Sequence, residues 1–347
     1  MTAPVLVTGG AGFIGANLAD RLLGEGQEVV VYDALSRPGT ERNLAWLQER
    51  HGARVRFVHA DIRDANRLAD EVARAGAVFH FAAQVAVTTS LVAPMDDFAI
   101  NIAGTLNVLE AIRTRAPATP VVFASTNKVY GDLADLDFAL EEEAYRPLDP
   151  EVRAHGIGEA RPLDFHTPYG CSKGAADQYV LDYARSFGLR AAVLRMSCIY
   201  GQRQMGTEDQ GWVAHFLIRA LGGETITLYG DGHQVRDILD VRDAVDAYLA
   251  AWRRIDQVSG RAFNLGGGPT NAVSLRQLIA HIGALTGRPV DLAFADWRAG
   301  DQRYFVADTR AATAALGLTR PRDWREGVAA LANWLAAERA VPIGVAA

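Results

Sequence analysis

Lysine is nearly absent from this chain. Of 35 basic side chains only Lys128 and Lys173 are lysines. Where arginine serves almost everywhere as the cation, two retained lysines mark places that want a compact point charge on a flexible stem rather than a planar fork. Cysteine is as scarce. Cys171 and Cys198 form no CxxC pair, so neither a disulfide framework nor a thiolate metal set follows from them. No histidine spacing suggests a metal site. Positive charge is not in excess: a net charge of −6 argues against nucleic acid as the main partner, because phosphate backbones need a basic face. No apolar run approaches the roughly 18 residues of a membrane span. The N-terminus runs directly into a strand without a basic, then apolar, leader. These absences place the chain in the cytoplasm as an expectation, with no metal, membrane or nucleic-acid partner. Repeats and low-complexity segments are missing too.

What the chain has is enough length and apolar content, 347 residues and 49% hydrophobic, to bury a sizeable core without staples. Its first half alternates short apolar runs with helical stretches. Val5–Val7, Glu28–Asp33, Val55–Val58, Ala77–Phe81, Val121–Ser125 and Ala191–Arg195 read as strands. Continuous apolar runs in βαβα alternation imply a parallel sheet covered on both faces, a Rossmann-type, doubly wound α/β fold. Asn101–Arg113 and Tyr169–Phe187 read as helices. Residues 132–166, with the run Glu141-Glu-Glu143 and prolines at 147, 150 and 162, read as an inserted loop with a little helix. Beyond about residue 202 the rhythm changes, and helices are expected near 211–221, 241–254, 274–286 and 324–338.

Thr8-Gly-Gly-Ala-Gly-Phe-Ile-Gly15 follows the first strand and opens a helix. Gly9, Gly12 and Gly15 permit the tight turn, the approach of a diphosphate and close helix–sheet packing. Phe13 and Ile14 begin the helix, whose free N–H groups suit phosphate. Asp33 ends the next strand, 18 residues after Gly15. An acid there binds the adenosine ribose hydroxyls and repels a 2′-phosphate, so NAD is the expected cofactor. Arg37 close by pulls the other way.

Tyr169 and Lys173 lie four apart on a helix and share a face. An ammonium beside a phenol, together with a positive nicotinamide ring, favours the phenolate and lowers a pKa that is ordinarily near 10. Such a tyrosine can take a proton from a sugar hydroxyl while hydride leaves the same carbon. Thr126 lies just past a strand end, where doubly wound folds place ligands, and can hydrogen-bond the reacting oxygen.

These segments resemble the extended short-chain dehydrogenases/reductases, in particular the NAD-dependent nucleotide-sugar epimerase/dehydratase group, from about residue 4 to about residue 336. The resemblance implies Thr126, Tyr169 and Lys173 as catalytic residues. It implies cofactor contacts at Asp61 and Ile62, at Ala82, Ala83 and Gln84 after the fourth strand, and at Asn101 and Ser125. Ser36–Leu44, Thr88-Thr-Ser90, Ser125–Gly131 and Asp209-Gln-Gly-Trp212 are similar to a subgroup that epimerises CDP-linked hexoses at C2. Thr88, Thr126 and Asn127 are then substrate contacts. Tyr229–Asp237 and Arg298–Arg303 resemble the segments that hold a nucleotide diphosphate, with Arg236 and Arg298 on phosphate and Asp301 on a ribose hydroxyl. The resemblance also implies an NAD-binding domain over residues 1–201, with 234–266 returning to it, a smaller substrate-binding domain from 202–233 and 267–347, and a homodimer or higher homo-oligomer. Dehydratases of the group carry an Asp-Glu pair where Asn127-Lys128 stand here, which argues against dehydration. Cys198 replaces an asparagine common in the 4-epimerases. It reads either as a sugar contact or, as free cysteine more often is, a small buried hydrophobe. Cys171 reads as structural, and His80 as a packed residue.

The expected activity is C2 epimerisation of a CDP-hexose through a transient keto-sugar. A 4-epimerase of UDP-sugars or uronates uses the same machinery and stays open. So does a non-catalytic NAD-binding sensor, although binding alone has no need of a proton shuttle.

Overall fold

In the computed structural model, which describes residues 3–298 and 300–339, every apolar run named above forms a strand of one parallel sheet. We label its strands β1 (Val5–Thr8), β2 (Val29–Asp33), β3 (Val55–His59), β4 (Ala77–His80), β5 (Val121–Thr126), β6 (Ala191–Met196) and β7 (Arg261–Leu265). The sheet order is β7-β6-β5-β4-β1-β2-β3, with all neighbours parallel. The order reverses between β1 and β4, and the crevice beyond the strand ends at such a switch point is where ligands bind.

Alternation along each strand divides the core between two layers. Val5, Val7, Val29 and Val31 point to one face, packed by helix α1 (Phe13–Gly24) and the helix Val241–Arg253. Leu6, Val30, Val78 and Phe123 point to the other, packed by helix Gly104–Arg115 and by the long helix α2 (Thr167–Phe187). A further cluster joins helices Trp212–Leu221, Leu275–Thr286 and Trp324–Arg339. Within residues 234–266 the strand Val235–Asp240 pairs with Cys198–Tyr200, Ala272–Ser274 and Tyr304–Phe305 in a small sheet, while Arg261–Leu265 is the edge of the large one.

The 132–166 segment holds more structure than its composition suggests. Helix Pro150–His155 has the expected start, Asp149 capping it ahead of a proline. Ahead of it is a hairpin, Phe138–Glu141 against Ala144–Pro147. Its two-residue turn is Glu142-Glu143, both at positive φ (46° and 62°). That geometry matches the twist of paired strands but is ordinarily written Asn-Gly, so two glutamates gave no sign of it. Cys171 is also not a core residue: it is exposed on α2.

Candidate active site

A cleft of about 460 Å³ runs along the strand ends, from Asp33 to the start of α2. At one end the chain turns from β1 into α1 through Gly9, Gly10, Ala11 and Gly12, with no side chain larger than a methyl. Gly9 has φ +68°, and a Cβ on it would fall 2.6 Å from the Ala82 backbone nitrogen. A Cβ on Gly15 would fall 2.3 Å from the Gly9 carbonyl oxygen. No side chain caps α1 and no acid sits in its first turn, so its N–H groups are left to a ligand. Asp33 accepts from Ala11 N–H at 3.0 Å and Leu35 N–H at 2.8 Å, fixing the turn. Burial pushes its carboxyl up while those N–H groups pull it down. A glycine-rich backbone cradle, a helix start with free N–H groups and an acid at the end of β2 in one cleft fit a dinucleotide.

Phe13, Ile14, Asp61, Ile62, Ala82, Ala83 and Ser125 line the cleft as well. The Asp61 carboxylate is engaged by Arg63, whose guanidinium holds it below the usual carboxylate range. Arg37 also lines the cleft and donates to Gln210. Gln84 and Asn101, expected at the cofactor, are not among the lining residues. Gln84 donates to Asp97 at 2.8 Å, and Asn101 accepts from Gln84 N–H at 2.9 Å and donates to Ser172 Oγ at 3.0 Å. They tie the loop after β4 to α2 and have no donor to spare.

At the other end Thr126, Tyr169 and Lys173 meet. Thr126 closes β5 and caps the short turn Asn127–Tyr130, its Oγ1 accepting from Lys128 N–H at 3.2 Å. Tyr169 sits in the first turn of α2, its own N–H given to Ser90 Oγ at 3.1 Å. The Thr126 side chain favours the ionised form of the Tyr169 phenol. One turn on, Lys173 donates to the Ala124 carbonyl at 2.7 Å and lies 4.2 Å from the Phe123 ring centre. A buried ion pair backs the site: Asp177 accepts from Arg195 at 2.9 Å twice and from Ser125 Oγ at 2.7 Å. Asp177 went unnoticed in the sequence, although its place four residues after Lys173 puts it on the same face. His80 is a packed residue, bonded to Thr8 and Thr105, with burial pulling its imidazole down to about 3.

Burial dominates the electrostatics of this pair. Burial pushes the Tyr169 phenol up to about 12, opposed by the Thr126 side chain and reinforced by Asp97. Burial also pulls the Lys173 ammonium down to about 7, against the attraction of Asp177 and Asp97. The protein's own groups therefore do not make a phenolate. A lysine that sheds its proton before the phenol does cannot stabilise it.

The substrate-side residues are arranged differently from expectation. Asn127 is buried, donating to Gln302 at 3.1 Å, with its carbonyl oxygen 3.3 Å from Thr126 Oγ1. Thr88 lies on the helix Val87–Val92, and Val87 rather than Thr88 lines the cleft. Cys198 does face the cleft, its thiol pushed up by burial and accepting from Trp212 Nε1 at 3.3 Å. Arg236, Arg298 and Asp301 are not lining residues. Asp301 is committed to Arg236 at 2.6 Å, with Lys128 Nζ at 3.9 Å, rather than left for a ribose. Burial pushes its carboxyl up, but the two cations outweigh this and hold it low. Arg298 stacks 3.8 Å over Tyr229 and donates to the Glu208 carbonyl.

The glycine turn, acid and Tyr–Lys pair thus occupy one cleft, and a sequence profile of the NAD dependent epimerase/dehydratase family matches residues 5–266. The chain belongs to the NAD-dependent epimerase/dehydratase family. It is 41% identical to the CDP-paratose 2-epimerase of Salmonella typhi, over 95% of this chain and 98% of that one. The UDP-glucose 4-epimerase of Thermotoga maritima, solved with UDP-glucose, superposes with a TM-score of 0.82 at 30% identity, covering 97% and 99% of the two chains. The UDP-glucose 4-epimerase of Thermus thermophilus, solved with NAD, gives 0.80 at 30% identity, over 96% and 98%. The enzyme's cofactor is NAD. Among the described residues no helix is long and apolar enough to cross a membrane.

Proposed function

We propose that this enzyme epimerises a CDP-linked hexose at C2. The observation that carries the reading is the turn after Thr126: Asn127 and Lys128 stand beside the Thr126–Tyr169–Lys173 set, where an acid would be needed to protonate a leaving hydroxyl. That favours moving a hydride out and back over elimination. The 41% identity to a CDP-paratose 2-epimerase supports the carbon and the nucleotide.

In this reading Gly9, Gly12, Gly15 and the start of α1 hold the NAD diphosphate, and Asp33 its adenosine ribose. Bound NAD supplies hydride acceptance and return. Thr126 holds the reacting oxygen, Tyr169 takes and gives back its proton, and Lys173 sets the charge at the phenol. The keto-sugar turns over between the two transfers. The large sheet with its helices is the NAD-binding part; the C-terminal helical cluster and small sheet form the substrate part. We also propose a homodimer, supported by the exposed apolar residues Leu91, Val92, Met95 and Phe98 beside α2. Sedimentation at micromolar concentration checks this, and a monomer there refutes it.

Substrate deuterated at the reacting carbon should give product that keeps its label, and turnover in heavy water should add none. A primary isotope effect is expected with label at C2. An effect at C4 instead supports a UDP-sugar 4-epimerase, the activity named for the Thermotoga protein. Solvent deuterium at the carbon would mean enolate chemistry and end the hydride reading.

A further inference from the structure

Four cationic side chains line the cleft: Arg37, Lys128, Lys173 and Arg203. Arg37 lies just past Asp33, and Arg203 is stacked 4.1 Å over Trp46, on the helix that follows Arg37. Lys173 is committed to the Ala124 carbonyl. Lys128 is the remaining cation, and it stands at the reacting end, two residues beyond Thr126. Its ammonium has three donors. Gly300 O takes one at 3.2 Å, and Asp301 balances its charge from 3.9 Å, longer than a hydrogen bond. Since Asp301 also serves Arg236, this cluster of two cations and one anion keeps a net positive charge.

Resting on the proposed 2-epimerase reading, we infer that Lys128 grips the sugar-side phosphate of the substrate and thereby presents C2, not C4, to Tyr169. In a nucleotide sugar the diphosphate hangs on C1. When C2 faces Tyr169, the phosphate is the reacting carbon's near neighbour and needs a cation close to Thr126. When C4 faces it, the whole ring separates the two. Lys128 supplies that near cation, whereas the guanidinium of Arg236 is turned to Asp301 and to its neighbour's carbonyl. The keto-sugar must then turn over while its phosphate stays held. An ammonium on a flexible stem can follow an oxygen through that motion, and a planar fork binding two oxygens resists it. This accounts for a lysine at this position in a chain whose one other lysine is Lys173.

The test uses the NAD-loaded enzyme with Lys128→Met and Lys128→Arg, each checked for unchanged NAD content and melting temperature. Calorimetric binding of CDP-glucose and of CMP is compared, because CMP lacks the sugar-side phosphate. Lys128→Met should weaken CDP-glucose about tenfold or more and leave CMP unchanged. Lys128→Arg should bind CDP-glucose nearly as wild type but lose about tenfold or more in kcat. Unchanged CDP-glucose affinity in Lys128→Met, equal losses for CMP and CDP-glucose, or wild-type kcat in Lys128→Arg would each overturn the assignment. The C2 and C4 labels on wild-type enzyme decide the parent reading separately: oxidation at C4 removes C2 selection, whatever the binding data say of the phosphate.

Discussion

Replacing Lys173 with methionine should change how stability depends on pH. Lys173 is 4% exposed, and burial pulls its ammonium from the ordinary 10.5 down to about 7. The folded protein stripped of NAD therefore gives up this proton near pH 7, while the unfolded chain keeps it to about 10.5. Across that window the unfolded state binds more protons, so stability rises with pH. One proton corresponds to a slope of about 1.4 kcal/mol per pH unit, and the full window caps the effect at about 5 kcal/mol. Methionine packs against the same Phe123 ring but cannot donate to Ala124 O. That loss costs about 1–3 kcal/mol at every pH. An offset and a slope are thus separable. Urea unfolding of the NAD-stripped protein at several values between pH 7 and 10 measures both. Wild type should be steeper than Lys173→Met by close to one proton. Lys128, which burial also pulls down, contributes to both proteins and cancels, and His80 at about 3 stays neutral throughout. Parallel slopes would refute the reasoning.

The same pair says what the working enzyme must do. A phenol near 12 is a useless base at neutral pH, and the cation one turn along α2 helps only if it holds its proton. The competent complex should therefore carry a protonated Lys173. NAD binding at pH 8.5 should take up close to one proton, seen calorimetrically in buffers of different ionisation enthalpy. Lys173→Met should abolish the uptake; equal uptake in both proteins would contradict it.

Tyr169→Phe should keep its NAD and lose about 10²–10⁴-fold in turnover, and near-normal activity would remove the tyrosine from the chemistry. Gly15→Ala drives a methyl into the Gly9 carbonyl oxygen, a backbone atom that cannot swing aside. It should cost about 1–3 kcal/mol and empty the purified protein of NAD(H), assayed after denaturation; a full complement of dinucleotide would refute the cradle. Asp177→Asn strips the buried Arg195 of its counter-charge and should cost about 3–5 kcal/mol by urea unfolding. A change under about 1 kcal/mol would show that Arg195 finds other compensation.

The reach of the sequence follows from how local each signal is. The strands of the sheet, the glycine turn and the Tyr169–Lys173 pair are each written in a short stretch of chain, and the turn, Asp33 and the pair all line one cleft. Direction of a side chain is less local. Gln84 and Asn101 stand where cofactor contacts are expected, yet nothing in their identity says that Asp97 and Ser172 will claim their amides. The hairpin turn at Glu142-Glu143 is hidden for a related reason: its geometry suits glycine, and strand pairing imposes it on glutamate. The least legible feature is charge partnership at long range. Asp301 reads as a free ribose acceptor until folding sets it between Arg236 and Lys128. Once that carboxylate is spent, the positive charge left over belongs to the cluster as a whole, and Lys128 is the member of it that faces the cleft.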